Sequence, residues 1–171
     1  MTKDQKTVAI GAASGIAGMI LLVWAIATYF PEPRVVDSNG DRLAYAFRWC
    51  VVAVLPLFFM IVAVGNERFL SEAIDPTLGK DSQKMLVNGR VADNTLQQFV
   101  CFLVGIAALS VSLPIERISY VPAVAITFVI CRLVFWVGYR IHPLYRAPGF
   151  SSTAYMNAFM YIAVIWLRLA G

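Results

Sequence analysis

The chain has 171 residues, of which 60% are hydrophobic and 14% are charged, and its formal net charge is +4. A soluble domain of this size carries roughly 25% charged residues, so this composition excludes an ordinary soluble domain and predicts apolar surface that faces lipid. Cys50, Cys101 and Cys131 form no paired motif and lie in apolar segments, where we expect buried, inert thiols rather than disulfides. The single histidine, His142, is not clustered with carboxylates, so no metal site is predicted.

Five apolar segments are each close to the roughly 20 residues that a membrane-spanning helix needs. In chain order they cover residues 8–30, 43–65, 90–114, 120–139 and 150–170. Backbone groups in lipid must find hydrogen bonds within their own segment, and the alternation of barrel strands is absent, so each segment is predicted to be an α-helix. The sequence therefore predicts an all-α integral membrane protein with five spans.

The first segment also has features of a secretory signal. Lys3 and Lys6 precede the apolar run, and the small-residue sequence "AIA" follows at 25–27. However, a signal's apolar region is about 7–15 residues long, and this run continues through Phe30. We therefore interpret the segment as a retained helix, with a cleaved signal as the alternative.

Lysine and arginine in the loops predict the orientation, because cytoplasmic loops are enriched in these residues. One side of the membrane would carry eight, namely Lys3, Lys6, Arg68, Lys80, Lys84, Arg90, Arg140 and Arg146, and the other four, namely Arg34, Arg42, Arg117 and Arg168. The amino terminus is therefore predicted to be cytoplasmic, in a bacterial inner membrane or an equivalent membrane. The positive charge then reflects topology, and no nucleic-acid partner is expected.

The third span opens with a polar stretch, "NGRVADNTLQQFVC". Within it, Arg90, Asn94, Gln97 and Cys101 follow the i, i+4, i+7, i+11 spacing of one helix face. Polar side chains at membrane depth are costly and normally face a bundle interior or a cavity. Interhelical hydrogen bonding is the alternative explanation for each single residue, although it does not require the charge of Arg90.

The fourth span carries a second polar face. Arg132 and Tyr139 are seven residues apart and point the same way. Arg132 is predicted to be either a ligand-binding group or a buried ion-pair partner, for example of Asp93. Gly138 is expected to allow the close approach of another helix.

The end of the fourth span is predicted to form a turn. Pro143 and Pro148 cannot continue a regular helix, so "HPLYRAPGF" should leave the membrane there. Arg146 in this turn is either a topology anchor or a cation that leans over a polar pocket between helices. Arg140 is expected to point elsewhere, toward lipid headgroups.

These two polar stretches together resemble the MAPEG family, the membrane-associated proteins in eicosanoid and glutathione metabolism. The resemblance rests on "RVADNTLQQF", followed one span later by "CRLVFWVGYRIHPLYRAPGF". It covers roughly residues 43–170 and leaves residues 1–30 as an additional amino-terminal transmembrane helix. It implies a four-helix MAPEG-like transmembrane domain, assembled as a homotrimer, plus that extra helix.

The resemblance also implies roles for individual residues, with glutathione as co-substrate at a subunit interface. The implied glutathione-binding residues are Arg68, Arg90, Asn94, Gln97, Arg132 and Tyr139, and the implied catalytic residue is Arg146. Guanidinium groups suit the two carboxylates of glutathione, and a cation beside a thiol lowers its pKa from about 8.5. Gln97 stands where the family has an acidic residue for the glutathione amine, so it would bind that amine by a weaker hydrogen bond, with Asp93 as the alternative partner.

The function implied by the resemblance is a glutathione-dependent membrane transferase or peroxidase that acts on lipophilic electrophiles or lipid hydroperoxides. Its partners would be the lipophilic substrate, membrane lipids and further copies of the chain. The alternative is a non-catalytic MAPEG-like protein that binds a lipid or a partner. A transporter that uses Arg132 and Asp93 is less well supported, because the sequence shows no inverted repeat and no pair of broken helices.

Overall fold

Five long helices make up the computed structural model, which describes residues 1–31 and 36–170. They are α1 (Lys3–Tyr29), α2 (Asn39–Phe69), α3 (Gln83–Ser112), α4 (Tyr120–Ile141) and α5 (Ala147–Ala170). No strand occurs in the described ranges, and each of the five helices is long and apolar enough to cross a membrane. The predicted all-α fold with five spans is therefore confirmed. Arg34, which was used for the orientation, lies outside the described residues.

Capping side chains outside the apolar runs explain why the first three helices begin earlier than predicted. Thr2 accepts a hydrogen bond from the backbone N–H of Gln5, and Ser38 does the same for Asp41. The side chains of Gln5 and Asp41 accept in return from the backbone N–H groups of their capping residues, completing a capping box at each helix. Ser82 caps α3 in a similar way. The predicted spans rest on apolar length, and these polar first turns lie outside the apolar runs.

Helix α4 is the central helix of the bundle and packs against each of the other four. Together with its neighbours it forms a core of fully buried side chains that includes Phe128 of α4 and Phe102 and Ile106 of α3. The rings of Phe102 and Phe128 have their centroids 4.5 Å apart, which is a favourable distance for an aromatic pair. Helix α1 is peripheral and packs on α5 and α4.

Glycine at two positions allows α1 to dock closely on the start of α5. A Cβ on Gly15 would lie 2.2 Å from the carbonyl oxygen of Pro148, and one on Gly11 would lie 3.2 Å from Ala147 Cβ. Gly11 and Gly15 have the four-residue spacing that lets membrane helices approach each other. This contact holds α1 parallel to α5, with both helices starting at the same end of the bundle.

A tight hairpin joins α4 to α5 through a 3-10 turn at Pro143–Arg146, as Pro143 predicted. Pro148, which was also expected in the turn, lies instead in the first turn of α5, where proline is tolerated because its missing N–H would have no partner within the helix. A Cβ on Gly149 would lie 2.4 Å from the backbone nitrogen of Phe135, so the two helices touch backbone to backbone. Gly138 also permits a close approach, but its neighbour is the carbonyl oxygen of Tyr145 in the turn, 2.3 Å from an added Cβ, rather than another helix.

Candidate functional site

A cavity of about 560 Å³ opens at the end of the bundle where α1, α3 and α5 begin. This volume falls in the range of small-molecule sites. Its lining residues are Val8, Arg90, Asn94, Phe135, Tyr139, Leu144, Arg146, Ala147, Phe150 and Ser151. They come from α1, α3, α4, α5 and the α4–α5 turn. We call this space the arginine cavity.

The α4–α5 turn presents Arg146 to the arginine cavity. His142 Nδ1 accepts a hydrogen bond from the N–H of Leu144 at 3.2 Å, and the His142 carbonyl accepts one from the N–H of Tyr145 at 2.9 Å. These bonds fix the turn, and Arg146 at its end donates to the Tyr139 hydroxyl at 3.3 Å. The Arg146 guanidinium carbon also lies 5.2 Å from the centroid of the Tyr139 ring. Tyr139 is nearly buried, whereas Arg146 is exposed to the cavity side, so a ligand could meet this guanidinium directly.

Arg132 lies behind the cavity wall and is completely buried. Its guanidinium donates to Asn94 Oδ1 at 3.0 Å and to the carbonyl of Gly149 at 3.0 Å, and it also donates to the Thr153 hydroxyl. Its carbon sits 4.4 Å from the centroid of the Phe135 ring. The side chain thus ties α4 to α3 and α5 through neutral acceptors, and its charge has no carboxylate partner among the described residues. The suggested ion pair with Asp93 is therefore wrong.

Two residues of α3 complete the polar wall of the arginine cavity. Arg90 and Asn94 are one helical turn apart and both line it. Arg90 is exposed, and Asn94 is half-buried because it also contacts Arg132. The cavity therefore carries two guanidinium groups, with a third immediately behind Asn94. None of the described residues that line it bears a carboxylate, so the site is electropositive.

The other residues expected at the site lie elsewhere in the chain. Arg68, in the last turn of α2, forms an ion pair with Asp81 at 3.0 Å and does not line the arginine cavity. Gln97 and Cys101 continue the spacing of Arg90 and Asn94, but both are exposed on the outside of the protomer. The expectation that all three thiols are buried is therefore wrong for Cys101. Gln97 and Cys101 share the helix face of Arg90, but they lie about 10 Å and about 16 Å further along the helix axis than Arg90, beyond the residues that line the cavity.

A separate polar network next to the site was not anticipated. Asn88 is buried between α3 and α4, where its side-chain oxygen accepts a hydrogen bond from the indole N–H of Trp136 at 3.0 Å. Its amide nitrogen donates to Glu67 at 3.3 Å, and Glu67 pairs with Lys84 at 3.3 Å. Asn88 lies two residues before Arg90, so the polarity of "NGR" was the available signal. Arg140 lines a smaller pocket on this side, together with Lys84 and Glu67, and does not line the arginine cavity.

Comparisons with known proteins find one matching family and two similar proteins. The model of the MAPEG family matches residues 46–166, from α2 to α5, and leaves out α1. Two similar curated proteins are both named Transmembrane protein 79: the Mus musculus protein is 24% identical over 124 residues, and the Bos taurus protein is 25% identical over 124 residues. Each match covers 72% of this chain but 31% of the relative, so the chain spans about a third of the relatives' length. No solved structure matches the chain.

Proposed function

The chain belongs to the MAPEG family and is an integral, multi-pass membrane protein, and on this premise we propose a glutathione-dependent transferase or peroxidase. Its second substrates would be lipophilic electrophiles or lipid hydroperoxides. The observation that carries the proposal is the convergence of Arg90 and Arg146 on one cavity at the start of α3 and α5, with Arg132 behind it. We further propose that the cavity opens to the cytoplasm, where glutathione is available, and that the protein works as a homotrimer.

The charge balance of the arginine cavity favours an anion. Glutathione has two carboxylates and one ammonium group, and it gains a further negative charge when its thiol ionises. Arg90 and Arg146 offer planar guanidinium groups that bind carboxylates or a thiolate by charge-assisted hydrogen bonds. A bound anion would also offset the uncompensated positive charge of buried Arg132, which is costly to hold away from water.

In the proposed mechanism, Arg146 stabilises the glutathione thiolate. A free thiol has a pKa of about 8.5 and is mostly protonated at neutral pH, and a neighbouring cation lowers this pKa. The thiolate then attacks an electrophile that enters from the lipid past Phe135 and Phe150, and the C–S bond forms as the leaving group departs, which is chloride for chlorodinitrobenzene. With a hydroperoxide, the thiolate breaks the O–O bond, and the alcohol leaves with a proton. A second glutathione then reduces the glutathione sulfenic acid, which gives the disulfide and water. Arg90 and Asn94 would hold the carboxylate and amide groups of glutathione. These two residues would therefore affect the affinity for glutathione and not the pKa of its thiol.

One observation favours the alternative, a non-catalytic member of the family that binds a lipid or a partner. Gln97 replaces the acidic residue expected to bind the glutathione amine, and it is exposed outside the arginine cavity of its own protomer. Within one protomer, the glutathione amine therefore lacks an acidic partner among the cavity's lining residues. A neighbouring subunit or a different ligand would have to satisfy the site.

The test is a rate measurement on the purified chain reconstituted in vesicles, with glutathione and either chlorodinitrobenzene or cumene hydroperoxide. We expect Arg146→Ala to lower the rate by about tenfold or more, because each pKa unit of thiol stabilisation corresponds to about 1.4 kcal/mol. Arg140→Ala is the matched control, since this nearby arginine does not line the cavity. It should keep the wild-type rate.

The pH profile separates a role in thiol ionisation from a role in binding. In the wild type, the rate should rise with pH through a thiol pKa below 8.5, because only the thiolate reacts. In Arg146→Gln this rise should move to higher pH, whereas Arg90→Gln should raise KM and leave the profile in place. The absence of glutathione-dependent turnover with either substrate, and of glutathione binding by calorimetry, would favour the non-catalytic alternative.

A further inference from the structure

A second cavity, of about 490 Å³, lies between α1 and the bundle at the end opposite the arginine cavity. Almost all of its lining is apolar, and helix α1 forms one wall through residues that include Met19 and Trp24. The opposite wall is α5, which contributes Met156 and Met160. Because the family match begins in α2, this space exists only where the additional helix is present. We call it the α1 cavity.

The dimensions of the α1 cavity suit a single hydrocarbon chain. Its lining extends along α5 from Met156 to Leu167, a distance of about 16 Å at 1.5 Å per residue. This length is close to half of the roughly 30 Å hydrocarbon thickness of a bilayer, which is the depth of one leaflet. Methionine side chains, three of which line the cavity, adapt their shape to flexible apolar ligands.

The open end of the α1 cavity carries one positive charge. Arg117, in the α3–α4 connection, is the only charged residue among its described lining residues, and it is exposed. It makes no side-chain hydrogen bond or ion pair within residues 1–31 and 36–170. Arg42, by contrast, already donates to the carbonyl of Leu113 at 2.6 Å. Arg117 is thus placed to bind an anion at the mouth of the cavity.

Two exposed tryptophans locate this mouth at the level of lipid headgroups. Trp24 and Trp166 line the cavity and are 58% and 70% exposed. Tryptophan concentrates at the membrane–water interface, where its ring contacts both headgroups and acyl chains. A guanidinium at the same depth meets phosphate groups and can bind them with two parallel hydrogen bonds.

We propose that the α1 cavity binds one acyl chain of an anionic membrane phospholipid, with the lipid phosphate held by Arg117. The site is separate from the arginine cavity and does not depend on glutathione chemistry. Its ligand comes from the leaflet that surrounds the carboxyl-terminal end of α5. The lipid would fill the gap between α1 and the bundle and so stabilise α1 at its outer half.

The experiment reconstitutes the full chain in phosphatidylcholine vesicles that contain a minor amount of phosphatidylglycerol with a photoreactive acyl chain. After illumination, peptide mapping should place adducts on the α1 cavity walls, at the half-buried lining residues Val23 in α1 and Leu167 in α5. Arg117→Gln should lower labelling by roughly tenfold at subsaturating lipid, because a hydrogen bond to a charged group is worth at least that factor. Arg168→Gln, at an exposed arginine outside the cavity, is the matched control and should label as the wild type does.

A second variant tests the cavity while Arg117 is left unchanged. Ala163→Phe should fill the space and lower labelling, whereas Ala170→Phe, beyond the cavity on the same helix, should not; thermal unfolding verifies that each variant folds. The proposal is overturned if phosphatidylcholine with the same photoreactive chain labels equally well, or if Arg117→Gln labels like the wild type. Adducts spread over every lipid-facing helix, or displacement by oleate in preference to phosphatidylglycerol, would overturn it as well.

Discussion

At the scale of single residues, Arg132 shows how a buried charge can organise a membrane bundle. It is completely buried and hydrogen-bonds to Asn94 of α3 and to Gly149 and Thr153 of α5. All three acceptors are neutral, so the bonds satisfy donors without neutralising the charge. The loss of any one acceptor would leave a charged N–H donor of Arg132 unpaired in a buried environment, which costs free energy of folding.

This arrangement predicts that Asn94→Leu destabilises the protein. The change removes an acceptor while leaving the guanidinium buried, which should cost about 2 kcal/mol, the usual value of a hydrogen bond to a charged group. Gln83→Leu, in the first turn of the same helix and exposed, should change the free energy of unfolding by less than about 0.5 kcal/mol. Unfolding in mixed micelles, followed by circular dichroism, measures both. Equal stability of the two variants would contradict the role assigned to Asn94.

The sequence predicted that Arg132 would need a partner, and it also predicted the wrong one. Asp93 and Asn94 are neighbours in the chain, but successive residues on a helix point about 100° apart. Helical spacing gives the directions of side chains relative to one another on the same helix. It does not say how that helix is rotated about its axis when it packs against the next helix. Only the packing of α3 on α4 decides that Asn94 faces Arg132 and that Asp93 is exposed.

At the scale of elements, the spans were predictable because apolar length is a local property of the sequence. The docking of α1 was not, because it depends on the contact of Gly15 with Pro148, 133 positions further along the chain. The apolar walls of both cavities were missed for the same reason. Residues such as Val8 and Phe150 have no local feature that separates a cavity wall from a lipid-facing surface.

Alanine substitutions at two glycines of α1 test this docking, because we expect them to change the free energy of unfolding in different directions. Gly15→Ala puts a Cβ 2.2 Å from the Pro148 carbonyl oxygen, so α1 must move away from α5; we expect a loss of about 1–3 kcal/mol. Gly18 has nothing within 4 Å of an added Cβ, and Gly18→Ala should be neutral or stabilising by up to about 1 kcal/mol through helix propensity. Thermal unfolding in the same detergent compares them. A Gly15→Ala variant as stable as Gly18→Ala would show that α1 is not docked as described.

At the scale of the whole molecule, polar side chains on the outside of α3 indicate a covered surface. Asp93 and Gln97 are exposed in the isolated protomer, although they lie within a membrane-spanning helix. Polar groups at this depth are costly in lipid and normally face protein or a cavity. A neighbouring copy of the chain would cover them, in agreement with the proposed homotrimer, and would bring Gln97 close to a neighbour's arginine cavity.

Mixed oligomers test this arrangement. If Gln97 serves the site of a neighbouring subunit, Gln97→Leu should raise KM for glutathione, while Arg146→Ala should lower turnover at its own cavity by about tenfold or more. Coexpression of the two variants should then restore part of the activity, because some cavities would combine a wild-type Arg146 with a wild-type Gln97 from the next chain.

A coexpressed pair of Arg90→Ala and Arg146→Ala is the control, since both residues line the cavity of one protomer. Every cavity in that mixture that contains Arg146 lacks Arg90. Native mass spectrometry should show three copies of the 18.9 kDa chain; a monomer, or no recovery of activity in the Gln97→Leu mixture, would contradict a site shared between subunits.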